Sequence, residues 1–195
     1  MNSLLRPLLT PVLLGAVLLT APLHADTKSP GYFDLGTFAP PTDGSQFVEV
    51  DLKGHLLAMA ARVAAKEEPG IAEVLRGIES IRVNVVGVNK GNRAEMAERI
   101  KTLRSGLSTD GWERIVTVQE GDQDVGVFVK TRSAESISGV VVTVLAGNEQ
   151  AVFVNVVGDI NPEKLAELGE HFGIEPLKKI GGAVKSTLGP RGLKA

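Results

Sequence analysis

Across residues 139–160, GVVVTVLAGNEQAVFVNVVGDI, two β-branched apolar runs (140–145 and 151–157) flank Ala146-Gly147-Asn148-Glu149-Gln150. Strand formers on either side of residues that tolerate positive φ predict a β-hairpin. Neither run alternates cleanly between apolar and polar positions, which predicts central strands covered on both faces. Upstream, residues 47–52 alternate enough to form a strand. The period then lengthens: Leu56, Met59, Ala60 and Val63 share one helical face, predicted to be the buried one, and Glu67-Glu68-Pro69 breaks that helix. A second short helix starts at Pro69, with Ile71, Val74, Leu75 and Ile78 toward the core. Residues 81–88 return to period two, with Arg82 and Asn84 pointing opposite to Ile81, Val83 and Val85.

The strongest helical pattern is Met96, Ile100, Leu103, Leu107, and Asn92 with Glu95 three residues on predicts a capping box at its start. Ser108-Thr109-Asp110-Gly111 ends it. Strands over 112–119 and 125–131 follow, joined by the polar residues 120–124, and a polar connection at 132–138 leads into the hairpin. Consecutive strands with short links predict an antiparallel meander. Beyond it, Asn161-Pro162 opens a last helix whose stripe is Leu165, Leu168 and Phe172 and whose stop is Gly173. The succession predicts an α+β domain, a largely antiparallel sheet of about six strands with helices packed on one face.

Composition adds an address. Residues 1–25 carry Arg6, an apolar stretch at 8–19, and Leu23-His24-Ala25. That order is that of a secretory signal peptide, so cleavage is expected near Ala25 and a periplasmic or secreted location follows. The apolar stretch is shorter than the roughly 20 residues that span a bilayer. Residues 26–46, rich in Pro and Gly, are expected to run extended, anchored by Tyr32, Phe33, Leu35 and Phe38. A single α+β domain should then occupy 47–173. The chain has no cysteine, which removes disulfides and thiolate chemistry and leaves stability to the apolar core. Residues 173–195 carry a charge of +4 and residues 26–172 a charge of −7. An acidic body argues against nucleic-acid binding, and the basic tail, 174–195, is expected to be flexible.

Residues with chemical potential are few. His55 and His171 each fall on a predicted helix without metal-pair spacing, and helix-end capping accounts for His171. Glu120, Asp122 and Asp124 crowd one turn but lack the further oxygens of a calcium loop. Gly158-Asp159-Ile160-Asn161-Pro162 reads as a strand exit and helix cap rather than an anion site, since Asp159 repels anions. Ser136-Ile137-Ser138-Gly139 has no nucleophile-elbow context. Trp112 and the phenylalanines are too sparse for a stacking platform. No catalytic, metal or cofactor residue emerges. Within the tail, a helix would place Leu177, Ile180, Val184 and Leu188 in one wedge, with Lys178, Lys179 and Lys185 beside it. That strip is suited to weak contact with an anionic membrane or to a partner's groove.

The series GYFDLG (31–36), GDQDVGVFVKT (121–131), ISGVVVTVL (137–145) and VNVVGDINPEKLAELG (154–169) resembles the bacterial domain-of-unknown-function family DUF4252. The resemblance spans nearly the whole chain after residue 25, and the strand–Gly-Asp-Ile–helix junction carries most of it. It implies an exported protein of the cell envelope and supplies no catalytic residues. The function expected is that of a non-catalytic binding or accessory module acting on an envelope protein partner. A periplasmic enzyme and a membrane-surface protein using the basic tail are the alternatives.

Overall fold

The computed structural model describes residues 29–133, 136–161 and 163–164. Six strands and three helices follow in order: β1 (Phe47–Lys53), α1 (Gly54–Ala64), α2 (Pro69–Gly77), β2 (Ile78–Gly87), α3 (Arg93–Thr109), β3 (Glu113–Glu120), β4 (Gln123–Thr131), β5 (Ile137–Ala146) and β6 (Gln150–Ile160). The strands form one sheet in the order β1-β2-β6-β5-β4-β3, antiparallel throughout. The fold is α+β, with the predicted meander β3 to β6 extended by β2 and β1. The hairpin β5–β6 lies at its centre, as its β-branched runs predict.

Burial along the central strands alternates although their hydrophobicity does not. Val141, Thr143, Leu145, Ala151, Phe153, Asn155 and Val157 are buried, while Val142, Val144, Val152, Val154 and Val156 are half-buried. Both faces were expected to be covered; one is sealed and the other is partly open. The sealed face carries the main core, in which Phe33, Leu35 and Phe38 meet Met96, Ile100 and Leu107 of α3 together with Phe128, Val141 and Phe153 of the sheet. Trp112 joins it edge-to-face with Phe33, ring centroids 6.1 Å apart.

The segment before β1 crosses this face flush against the strands. Asn155 holds it there: its Oδ1 accepts from the Phe33 N–H (3.0 Å), and its Nδ2 donates to the Gly31 carbonyl (3.1 Å) and the Val140 carbonyl (3.2 Å). Close approach requires glycine on both sides, because a Cβ on Gly139 would lie 2.4 Å from the Gly31 carbonyl oxygen. Arg99 of α3 clamps the same segment, donating to the Leu35 carbonyl (3.0 Å) and the Thr37 carbonyl (2.9 Å) while its guanidinium lies 3.8 Å from the centre of the Phe38 ring.

Two local readings are corrected. The apolar face read on α1 is not the buried one: Leu57 and Ala61 are buried, whereas Leu56, Met59 and Val63 are 45%, 53% and 73% exposed. The helix lies against α2, whose buried residue is Ala72. On β2, Arg82 and Asn84 do point opposite to Ile81, Val83 and Val85, and the face bearing Asn84 is the sealed one. Asn92 stands at the start of α3 without a side-chain cap. Its Oδ1 instead accepts from the Asn89 N–H (2.8 Å), and its Nδ2 donates to the Gly87 carbonyl (2.9 Å), bracing the turn out of β2.

Candidate functional site

Strand register turns the repeated valines of the sequence into a surface. Val50, Val83, Val154, Val142, Val127 and Val116 stand side by side across all six strands. The next row is again valine throughout: Val48, Val85, Val152, Val144, Val125 and Val118. Valine suits a pleated surface because its branched Cβ packs against neighbours on the same face. The face is graded. Val116 and Val127 are buried, Val142, Val154 and Val83 are half-buried, and Val48 at the β1 edge is 38% exposed. No polar residue interrupts either row, so the surface offers shape and apolar area and no chemistry.

A second apolar surface lies on α1, where Leu56, Met59, Ala60 and Val63 are exposed. The helix bears His55 and Arg62 and no carboxylate. Leu56, Met59 and Val63 are among the most exposed large apolar side chains of the described residues.

Grooves bearing charged side chains lie along α3. One, of about 800 Å³, is lined by Lys101, Arg104, Ser105, Arg114 and Asp124. Its cations are largely engaged: Arg104 Nη1 donates to both Asp124 oxygens at 2.9 Å and its Nε to Thr143 Oγ1 at 3.0 Å, while Lys101 pairs with Glu98 at 3.3 Å. A second, of about 650 Å³, lies between Asp34, Leu35 and Gly36 on one side and Glu95, Glu98 and Arg99 on the other. Burial pushes the Arg99 guanidinium below its ordinary pKa, opposed by Glu95 and assisted by Arg82.

The residues singled out in the sequence are not brought together. His55 is exposed on α1. Asp122 pairs with Arg93 at 3.4 Å and Asp124 with Arg104 at 2.9 Å, so the acidic turn is a pair of structural anchors. Among the described residues no group of three His, Cys, Asp or Glu is placed to hold a metal, and no helix is long and apolar enough to cross a membrane. Asn161 caps as predicted, its Oδ1 accepting from the N–H groups of Glu163 (2.8 Å) and Lys164 (3.2 Å). The leader 1–25, the stripe Leu165, Leu168 and Phe172, the stop Gly173, His171, and the tail strip Leu177, Lys178, Lys179, Ile180, Val184, Lys185 and Leu188 lie outside the described residues. Sequence reasoning missed the valine face because valines two apart read as core, and only register shows that they share one side.

The fold and surface define a class: a small α+β domain built on an antiparallel sheet, with apolar faces more conspicuous than any polar cleft. The sequence pattern of the domain of unknown function DUF4252 matches residues 42–168, and the chain belongs to that family. No curated protein and no solved structure matches it.

Proposed function

We propose that the protein is exported to the periplasm or beyond, with cleavage near Ala25, and works there without catalysis or cofactor as a binding or accessory module for another envelope protein. The exposure of Leu56, Met59 and Val63 carries this reading. Large apolar side chains gathered on one exposed helical face favour a partner that removes them from water, at about 25 cal/mol per Å² of apolar area. With His55, Arg62 and no acidic residue on the helix, the matching partner presents an apolar groove with carboxylates on its rim.

The experiment is capture from envelope extract with the full chain and with Leu56→Glu/Val63→Glu. These sites face solvent, so folding should survive the change, as checked by circular dichroism. A protein retained by the wild type and lost with the variant is the expected outcome. Equal capture by both, or by neither, would remove α1 as the contact. Intact-mass analysis of the exported protein tests the address: a chain still beginning at Met1 contradicts it.

A further inference from the structure

The two edges of the sheet differ. At β3 the outer strand shifts register between Arg114 and Val116, an irregularity of the kind that turns an edge away from further pairing. At β1 the register with β2 runs without a shift from Phe47 opposite Val86 to Lys53 opposite Ser80. The Gly87 N–H donates to the Gln46 carbonyl (2.6 Å), which fixes the phase of that ladder. In an antiparallel pair, successive residues alternate between bonding the neighbouring strand and turning their backbone groups away from it. Val48, Val50 and Leu52 therefore bond to β2, and the N–H and C=O groups of Phe47, Glu49, Asp51 and Lys53 point outward. Among the described residues no strand lies beyond them, and Val48, Glu49, Asp51 and Lys53 are exposed.

We infer that the β1 edge takes up an extended segment of another protein as a further strand, one that carries apolar residues on one face and lysine or arginine on the other. Backbone pairing supplies the attraction, and the alternation of side chains supplies the specificity. On the valine side the incoming residues extend the rows that end at Val48 and Val50. On the other side they meet Glu49 and Asp51. The cations already beside these carboxylates hold them loosely: Arg82 lies 3.6 Å from Glu49, and Lys53 reaches Asp51 at 2.9 Å with its side chain 71% exposed. A second copy of the chain is the wrong occupant. Antiparallel self-pairing through the outward groups centres on Glu49, Val50 or Asp51. It therefore sets Glu49 against Glu49, Glu49 against Asp51, or Asp51 against Asp51. Like charges directly opposite destabilise a strand pair, and a basic strand removes the conflict. The contact rests on the reading of the protein as a binding module and uses a surface other than the exposed face of α1.

The probe is a short capped peptide of alternating valine and lysine, added to the full-length protein and followed by calorimetry and amide exchange. One control peptide is N-methylated at alternate backbone nitrogens, which keeps the charge and removes pairing; another has glutamate in place of lysine. The lysine peptide should bind and slow exchange at the Glu49 and Asp51 N–H groups, and each control should bind at least about tenfold more weakly. Asp51→Pro removes an outward N–H and leaves the ladder to β2 intact, so it should abolish binding in a folded protein. Glu49→Lys/Asp51→Lys changes only exposed side chains and should do the same by charge. Leu56→Glu/Val63→Glu should bind the peptide as the wild type does, which separates this edge from the α1 face. Equal binding of the N-methylated peptide would reduce the effect to attraction by an acidic body and overturn the inference. Absence of binding, or binding without protection at Glu49 and Asp51, would overturn it as well. Self-association of the wild type that Asp51→Pro abolishes, read by sedimentation, would make a second copy the occupant and contradict the assignment.

Discussion

On one face of the sheet Asn84, Thr143 and Asn155 sit among Phe128 and Phe153, none more than 2% exposed. On the other, two rows of six valines run edge to edge and open toward β1. The first face is chemically varied because its covers are varied. An irregular segment brings backbone groups that must be hydrogen-bonded, and Asn155 and Arg99 supply the partners. The second face has no such groups to satisfy, so one residue type, repeated, suffices. A uniform surface specifies its cover less tightly than a varied one, which makes the valine face the more adaptable of the two.

Adjacent residues on β6 test the contrast most sharply. Phe153 is fully buried and its neighbour Val154 is half-buried on the other side. Phe153→Ala should cost about 3–5 kcal/mol, transfer and cavity terms together. Val154→Ala removes two methyl carbons worth about 0.8 kcal/mol each when fully buried, so about 1 kcal/mol is expected. Denaturant unfolding of both variants decides it. Equal losses would mean that the faces are equally sealed and that the comparison fails.

The next effect concerns the device that only the sealed face needs. Asn155→Leu strands the Phe33 N–H and the carbonyl of Gly31, with about 1–3 kcal/mol lost for each buried group left unpaired. The loss should be local first. Amide exchange at Phe33 should accelerate well beyond that in β5, since the segment is tied down by Asn155 and Arg99. Uniform acceleration across the sheet would show that the segment and the sheet open as one unit.

These contrasts also explain what could be read in the sequence. The hairpin centre, the meander and α3 were legible because β-branched runs with short links and a 4-3-4 apolar spacing are local signals. The buried face of α1 was not, because two stripes compete on that helix and the choice depends on its packing against α2, a partner in space. The capping box failed for a related reason: Asn92 fits the pattern, but the turn from Gly87 to Asn89 offers its side chain other partners. The resemblance placed the family correctly. The candidate surface was the least legible feature. A row of valines from six strands is a property of register, and the tail strip singled out instead lies beyond the described residues.

The smallest expected effect carries the opposite sign. Asn84 is fully buried on the sealed face, opposite Phe153 on one neighbour and Glu49 on the other, and neither its Nδ2 nor its Oδ1 has a hydrogen-bond partner among the described residues. Asn155, two strand positions away on β6, earns its burial by three hydrogen bonds; Asn84 makes none through its side chain. An amide that gives up solvation without a partner works against folding, whereas a leucine of similar size adds apolar contact with Phe153. Asn84→Leu should therefore be neutral or raise stability by up to about 1 kcal/mol, measured as a shift in the denaturant midpoint at unchanged slope. Set beside Asn155→Leu, the same substitution on the same face should give opposite results. A loss of more than about 1 kcal/mol at Asn84 would assign that side chain a partner of its own, and Asn84 would then join Asn155 as a polar anchor of the sealed face.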